Sequence, residues 1–365
     1  MHDQAGSPCS PGYAELVRAL TVVPGRPGSG TVCDLPEPDP ADGGVLVATR
    51  AVGVCGTDRE ILAGHYGQAP PGADALVLGH ESVGKVLEAP AGCGLAAGDL
   101  VVGIVRRPDP VPCVNCAAGE FDMCRNGRYV EHGISALHGF ARDRWRAGPD
   151  AIVPVDPALG ELAVLLEPAS VVAKAWEHIE RIGRRAVWEP RSVLVTGAGP
   201  IGLLAALLGV QRGLEVHVVD LVEDGPKPRL VTELGATYHS TDLATLDLTP
   251  DVVVECTGVG SVIAAVVGGT GRNGIVCLAG VSAPGGRIAL DVGALNREWV
   301  LENDVVFGSV NANRRHYELA AKALAEADLD WLGRMVTRRV PVEQHEQAFQ
   351  RRDGDVKTVL TFGKR

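Results

Sequence analysis

Three groups of residues combine types and spacings that can do chemistry. The first is the run Gly197-Ala198-Gly199-Pro200-Ile201-Gly202, which follows the apolar stretch SVLVT and opens a second apolar stretch, LLAALLGV. In that context the first glycine makes a tight turn and the second lets backbone approach a pyrophosphate. The third lets a helix pack closely on a strand, and the helix N-terminus favours the anion. Asp220 closes the next strand-like run, EVHVVD. A carboxylate there hydrogen-bonds the adenine ribose hydroxyls and repels a 2′-phosphate, which points to NAD over NADP. Lys227 and Arg229, a little further on, read as the solvated start of a helix.

The second group is scattered: Cys55 in VCGTD, His80 and Glu81 in GHE, and Glu167 in LEP. Thiolate, imidazole and carboxylate are all zinc ligands, and a catalytic zinc keeps one position open for water or substrate. Each residue alone reads as an ordinary buried thiol, core histidine or helix-start acid, and it is their company with a dinucleotide turn that gives them weight. The third group is Cys113-x2-Cys116-x7-Cys124, in a polar stretch from Arg106 to Trp145 that is too long to be an idle loop. Three thiolates so spaced suggest a structural zinc folding a segment that cannot make its own core. Asp122 is the first candidate for a fourth ligand and Asp109 the second.

These groups need positioning elements. From Leu16 to about Asp156 the chain shows short apolar runs cut by Gly and Pro, such as VLVATRAVGVCG and DLVVGIVRRP, which read as strands. From about Glu161, LAVLLEPASVVAKAWEHIERIG is apolar at helical spacing, and strands then alternate with helices through VLVTGAG, EVHVVD, DVVVECTG, GIVCLAG and DVVFGSV. That alternation implies a doubly wound parallel sheet. A helical stretch from His316 to about Arg334 and the strand-like TRRVPV and VKTVLTF close the chain. The 365 residues suit about two domains. With 46% hydrophobic and 22% charged residues the chain is not disordered, and a net charge of −11 argues against nucleic-acid or anionic-membrane partners. The uncharged run from Ser192 to Val210 is broken by Gly-Ala-Gly-Pro and is no membrane span. The start of the chain has no basic, apolar leader, so a cytoplasmic location is expected, with the nine cysteines as thiols or metal ligands rather than disulfides.

With GVCGTDREI, LGHESVG, CVNCAAGEFDMC, HGF, LLEPAS, GAGPIG and GSVNANRRHY in hand, the chain resembles the zinc-dependent medium-chain alcohol dehydrogenase superfamily, in particular its glucose dehydrogenase branch. The resemblance covers nearly everything from residue 16 on. It implies an α/β protein with a GroES-like, mostly-β catalytic domain (13–168 and 312–365), a Rossmann domain (169–311) and a loose tail (1–12). It makes Cys55 and His80 catalytic zinc ligands, and Glu81 a ligand or neighbouring carboxylate. Glu167 would touch the metal, its water or the substrate, and Thr57 would start a proton relay. Glu131 would bind sugar, and Asn311 would lie between nicotinamide and sugar. Thr257 and Val310 join Asn311, Asp220 and the glycine turn in the cofactor set.

The expected reaction is hydride transfer from a sugar or other polyhydroxylated alcohol to NAD(P). A dehydrogenase of another polyol, a cyclitol or a secondary alcohol is the alternative, and a non-catalytic nucleotide-binding protein is the reading from another class. The resemblance also implies a homodimer or homotetramer. The chain departs from the family pattern twice. Pro110 stands where the wider family carries the first of four lobe cysteines, and Val171 stands where some sugar dehydrogenases carry an acid.

Overall fold

A computed structural model describes residues 16–282 and 286–363. The tail expected at 1–12 lies outside the described residues. The chain divides into two compact units. One runs up to Glu167 and takes in Asn313–Ala325 and the segment from Val336 on; the other holds Pro168–Ala312 and Glu326–Met335.

The first unit is built on a seven-stranded sheet in the order Ile152–Pro154, Leu100–Gly103, Glu81–Glu88, Val45–Gly53, Lys357–Thr361, Val336–Pro341, with Arg144–Ala147 also pairing with Val45–Gly53. Its strands are the Val-rich runs read from the sequence. The register of the central strand sets the site: Gly53 lies opposite Glu81 on one side and Val359 on the other. The ends of three strands therefore converge where the chain turns into Val54 and Cys55. Beneath them Val47, Val86, Val101, Phe140, Trp145 and Ile152 form one buried cluster. The rings of Phe140 and Trp145 sit 4.7 Å apart. Each such side chain contributes about 1.5–3 kcal/mol of burial, which gives the strand ends a rigid base.

The second unit holds six parallel strands: Ser192–Thr196, Glu215–Val219, Thr237–His239, Val252–Glu255, Ile275–Leu278 and Val305–Gly308. Their spatial order is third, second, first, fourth, fifth, sixth, so the strand order reverses between the first and the fourth. This is the doubly wound sheet the alternation implied. The helix Pro200–Gln211 is buried at every residue from Gly202 to Gly209, which explains its uninterrupted apolar sequence.

The helix Val292–Glu302 had no sequence signal. It has no buried residue, so burial imposes no apolar stripe on it. The helical stretch near the C-terminus breaks into Arg314–Ala325 and Leu329–Met335. The second piece, expected with the catalytic domain, belongs to the second unit: Trp331 donates from its ring N–H to Leu230 O at 2.8 Å, and Arg334 pairs with Glu233.

Among the described residues, no helix is long and apolar enough to cross a membrane. Cys33, on the partly exposed strand Thr31–Pro36, is disulfide-bonded, which corrects the expectation of thiols and metal ligands only.

Candidate active site

In the first unit, Cys55, His80 and Glu81 each present a donor atom, and these three atoms lie within 4.8 Å of one another. Local structure explains how. Cys55 has extended backbone and caps the helix Gly56–Leu62, and three residues on Asp58 accepts the Cys55 N–H at 2.8 Å. The other oxygen of Asp58 stands 3.3 Å from His80 Nδ1. One buried carboxylate thus holds the backbone of one donor and the ring of another, the arrangement that fixes a ligating histidine's tautomer and orientation. Burial alone would lower the His80 pKa, but Asp58 raises it well above the usual value.

Glu81 is held by Lys357, which also donates to Val54 O at 3.2 Å; both charged side chains are 2% exposed. Gly53 leaves room for this pair, since a Cβ there would come 2.0 Å from Glu81 Oε2. A half-buried sulfur gathered with a buried imidazole and a buried carboxylate fits a zinc ion, for which three protein donors would leave a fourth position for water or substrate.

Asp58 and Lys357 were not singled out from the sequence. Asp58 carried one available signal, an acid at the third helical position after a cap. Lys357 carried another, a lone lysine inside the apolar run VKTVLTF.

Glu167 does not belong to the gathered trio. It opens the helix Leu166–Gly183 and is buried, and burial pushes its pKa up to about 7, with His80 opposing and Glu81 adding to the shift. Thr57 is the second residue of the helix that Cys55 caps, its hydroxyl 4.0 Å from the Cys55 sulfur. Glu131 is buried and is met by Arg106, whose Nε and Nη2 both stand 3.0 Å from one carboxylate oxygen. It is not part of the metal group.

The sulfurs of Cys113, Cys116 and Cys124 form the second gathered group. Backbone N–H groups point at them, and that of Arg125 meets Cys113 Sγ at 3.4 Å. N–H donors from Cys116 and Arg125 lower the Cys113 pKa to about 6, which favours the thiolate a metal requires. Asp122 is not in this group. Its Oδ1 accepts from Asn313 at 2.8 Å and its Oδ2 lies 3.9 Å from His316 Nδ1, so the expected fourth ligand is turned to the helix Arg314–Ala325 instead. Asp109 is likewise engaged, accepting from the Val111 N–H and from Asn126. The lobe offers three free cysteines as ligands among the described residues.

In the second unit the glycine turn has the shape a dinucleotide needs. Gly197 has φ +86°, and a Cβ on Gly202 would come 1.7 Å from Gly197 O, so only glycine closes this strand–helix turn. A Cβ on Gly199 would meet nothing within 4 Å, which leaves open space before the first turn of the helix begun by Pro200 and Ile201. The first turn of a helix leaves backbone N–H groups without partners in the helix, as a phosphate-binding turn requires. Asp220 accepts the N–H of Ala198 at 2.7 Å and of Val222 at 3.2 Å, and pairs with Lys227 at 2.9 Å. Thr257 donates to Glu255, Val310 O accepts from the buried Lys174 at 2.9 Å, and Asn311 holds a left-handed backbone at φ +61°.

Comparison with known proteins agrees with both units. Residues 41–157 match the family profile described as the alcohol dehydrogenase GroES-like domain, and residues 160–362 match that described as the glucose dehydrogenase C-terminus. The chain is 38% identical to a glucose 1-dehydrogenase of Methanocella arvoryzae over 95% of its own length and 100% of the relative's. It is 41% identical to glucose 1-dehydrogenase 1 of Caldivirga maquilingensis, over 94% and 98%. Among solved structures, the glucose dehydrogenase of Haloferax mediterranei in complex with NADP, Zn and gluconolactone superposes with a TM-score of 0.87 at 33% identity, covering 95% of this chain and 100% of that one. The fold and the two donor groups define a medium-chain, alcohol dehydrogenase-type oxidoreductase. Within that class the chain belongs to the glucose dehydrogenase family.

Proposed function

We propose that the chain oxidises the hydroxyl-bearing carbon of an aldose or another polyhydroxylated alcohol, passing a hydride to NAD(P), with NAD favoured over NADP. The observation that carries this reading is the gathering of the Cys55, His80 and Glu81 donor atoms within 4.8 Å of one another, His80 and Glu81 buried and Cys55 half-buried. Zinc held there supplies a Lewis acid that lowers the pKa of a substrate hydroxyl, and a nicotinamide bound at the glycine turn supplies the hydride acceptor. The substrate carbon loses a hydride and its oxygen a proton, leaving a carbonyl; from a cyclic aldose that product is a lactone.

Thr57 Oγ1 takes the proton and passes it outward. Asp58 and Lys357 keep His80 and Glu81 in place, so no reorganisation is needed as charge develops. Glu131 and Glu167 bind the remaining hydroxyls. An apolar alcohol would leave such groups without partners, at about 1–3 kcal/mol each. Cys113, Cys116 and Cys124 hold a second, structural zinc.

The NAD preference rests on Asp220 at the end of the second parallel strand. A second reading, NADP, is favoured by the Lys227 ammonium beside that carboxylate, and the Haloferax relative was solved with NADP. A homodimer or homotetramer is supported by the half-buried strand Val305–Gly308 at the edge of the sheet and by the preceding helix, which exposes Val292, Val300 and Leu301. A cytoplasmic setting is supported by seven free cysteines among the described residues, while the disulfide-bonded Cys33 weighs the other way.

The test is kcat/KM for glucose, galactose, xylose, inositol, sorbitol and benzyl alcohol, each with NAD and with NADP. A sugar or cyclitol should exceed benzyl alcohol by at least about a hundredfold, within the range reached by sites built to bind hydroxyls. If benzyl alcohol wins, the polyol reading fails; if NADP wins, the NAD preference fails.

A further inference from the structure

Glu255 ends the fourth parallel strand, is 0% exposed, and has no part in the chemistry above. Its Oε1 accepts from Thr196 Oγ1 at 3.2 Å and from the Thr257 N–H at 2.7 Å. The Thr257 hydroxyl donates to the same oxygen, and the Gly258 N–H lies 3.1 Å from Oε1 and 3.2 Å from Oε2. The backbone carbonyl of Glu255 accepts the N–H groups of Ala279 and Gly280 at 2.8 and 2.9 Å. Thr196 immediately precedes the glycine turn, Thr257 and Gly258 leave the fourth strand, and Ala279 and Gly280 leave the fifth. One residue therefore ties together the chain exits at the carboxyl ends of three neighbouring strands.

These exits lie against one another without slack. A Cβ on Gly280 would come 2.1 Å from Gly258 N and 2.8 Å from Glu255 Oε2, and one on Gly197 would come 2.9 Å from Thr257 Cγ2. The first and fourth strands are the pair at which the strand order reverses. In open parallel sheets, ligands bind outside the carboxyl ends of the strands at that point.

We propose that Glu255 is the positioning residue of the dinucleotide site: its backbone carbonyl holds the turn at 279–280, and its buried carboxylate sets the spacing of the glycine turn against the turn at 257–258 and so sets cofactor affinity. This rests on the reading that the glycine turn holds NAD(P). A carboxylate suits the place because every group facing it in these bonds is an N–H or O–H donor. An amide would turn an NH2 towards donors and leave them unpaired. Glu255 is buried away from any ligand and would act only through Thr196, Thr257 and the glycines.

The experiment compares wild type, Glu255→Gln and Thr196→Val as purified zinc-loaded proteins, reading the Kd for NADH and NADPH by fluorescence titration, zinc content, and the sugar KM at saturating cofactor. Thr196→Val keeps shape, is itself fully buried and removes one arm of the clip. The Kd should rise at least about tenfold in Glu255→Gln and about threefold or more in Thr196→Val, as for a buried hydrogen-bonded charge and one of its donors. Zinc content and sugar KM should stay unchanged. If wild type binds a dinucleotide and both variants bind it within twofold, the proposal is overturned, whatever happens to thermal stability. If Glu255→Gln does not fold, the Kd of Thr196→Val decides alone. Wild type that binds neither cofactor would overturn the functional reading on which the proposal rests, a result distinct from equal binding by all three.

Discussion

Lys357→Met tests whether the gathered donors depend on a buried cation. Lys357 and Glu81 are each 2% exposed and ion-paired, and the lysine also donates to Val54 O. Methionine matches the length of the lysine stem but leaves the Glu81 carboxylate without its cation. Breaking a buried pair from one side costs about 3–5 kcal/mol, because the abandoned charge stays desolvated. By the usual conversion of about 1.4 kcal/mol per tenfold, the local opening constant should rise about 150-fold to 4,000-fold.

Native-state amide exchange resolved to the strands Val45–Gly53 and Glu81–Glu88 reads that opening in the sheet concerned, free of the nucleotide-binding unit. The double variant Lys357→Met/Glu81→Gln removes the stranded charge and should recover at least about half of the loss, since apolar or neutral replacements of a whole buried pair are well tolerated. Zinc content should fall in the single variant. A loss below about 1 kcal/mol in Lys357→Met, or a double variant no better than the single, would refute the claim that this pair organises the donor group.

Three further outcomes are expected. Asp220→Ala should narrow an NAD over NADP preference by at least about tenfold in kcat/KM, about 1.4 kcal/mol, and Lys227→Met should shift the ratio the opposite way; an Asp220→Ala ratio equal to wild type would remove that carboxylate from cofactor choice. Cys113→Ser should lower the thermal midpoint and the zinc count while the residual enzyme keeps its KM values, and metal analysis of wild type should approach two zinc ions per chain; one zinc with all three thiols freely titratable would reject the structural site. His132, buried and stacked on Phe140, has its pKa lowered by burial to about 3. As pH falls below about 6.5 the unfolded chain takes up a proton that the folded chain refuses, so this contribution to stability is complete above 6.5 and lost towards 3. It amounts to about 2–3 kcal/mol by pH 4.5, and His132→Gln should flatten urea midpoints over that window; an unchanged slope would show that His132 does not set it.

What could be read from the sequence divides along sequence distance. The glycine turn was legible because its chemistry lies within six consecutive residues between a strand and a helix, and the steric reason for Gly202 is the carbonyl of Gly197, five residues back. The doubly wound sheet was legible because strands buried on both faces must be apolar throughout. The helix Val292–Glu302 was not, because an element with no buried residue carries no core-facing pattern.

The donor trio shows the limit more sharply. Cys55 and the adjacent His80 and Glu81 come from separate segments, and ligand type, the company of a dinucleotide turn and the family resemblance are what join them in the sequence. What brings them together physically is the pairing of Gly53 with Glu81 and Val359, a register that no local pattern specifies. The residues that hold the trio in place escaped notice for the same reason. Asp58 is legible as a helix-start acid but not as the partner of His80, and Lys357 stands in sequence hundreds of residues from the carboxylate it neutralises. Asp122 is the converse case. Its nearness to Cys124 in sequence suggested a ligand, but Asn313, 191 residues away, takes the carboxylate instead. In a polar lobe several acids stand close to the thiolates, and which of them turns inward is settled by the helix packed behind it rather than by spacing along the chain.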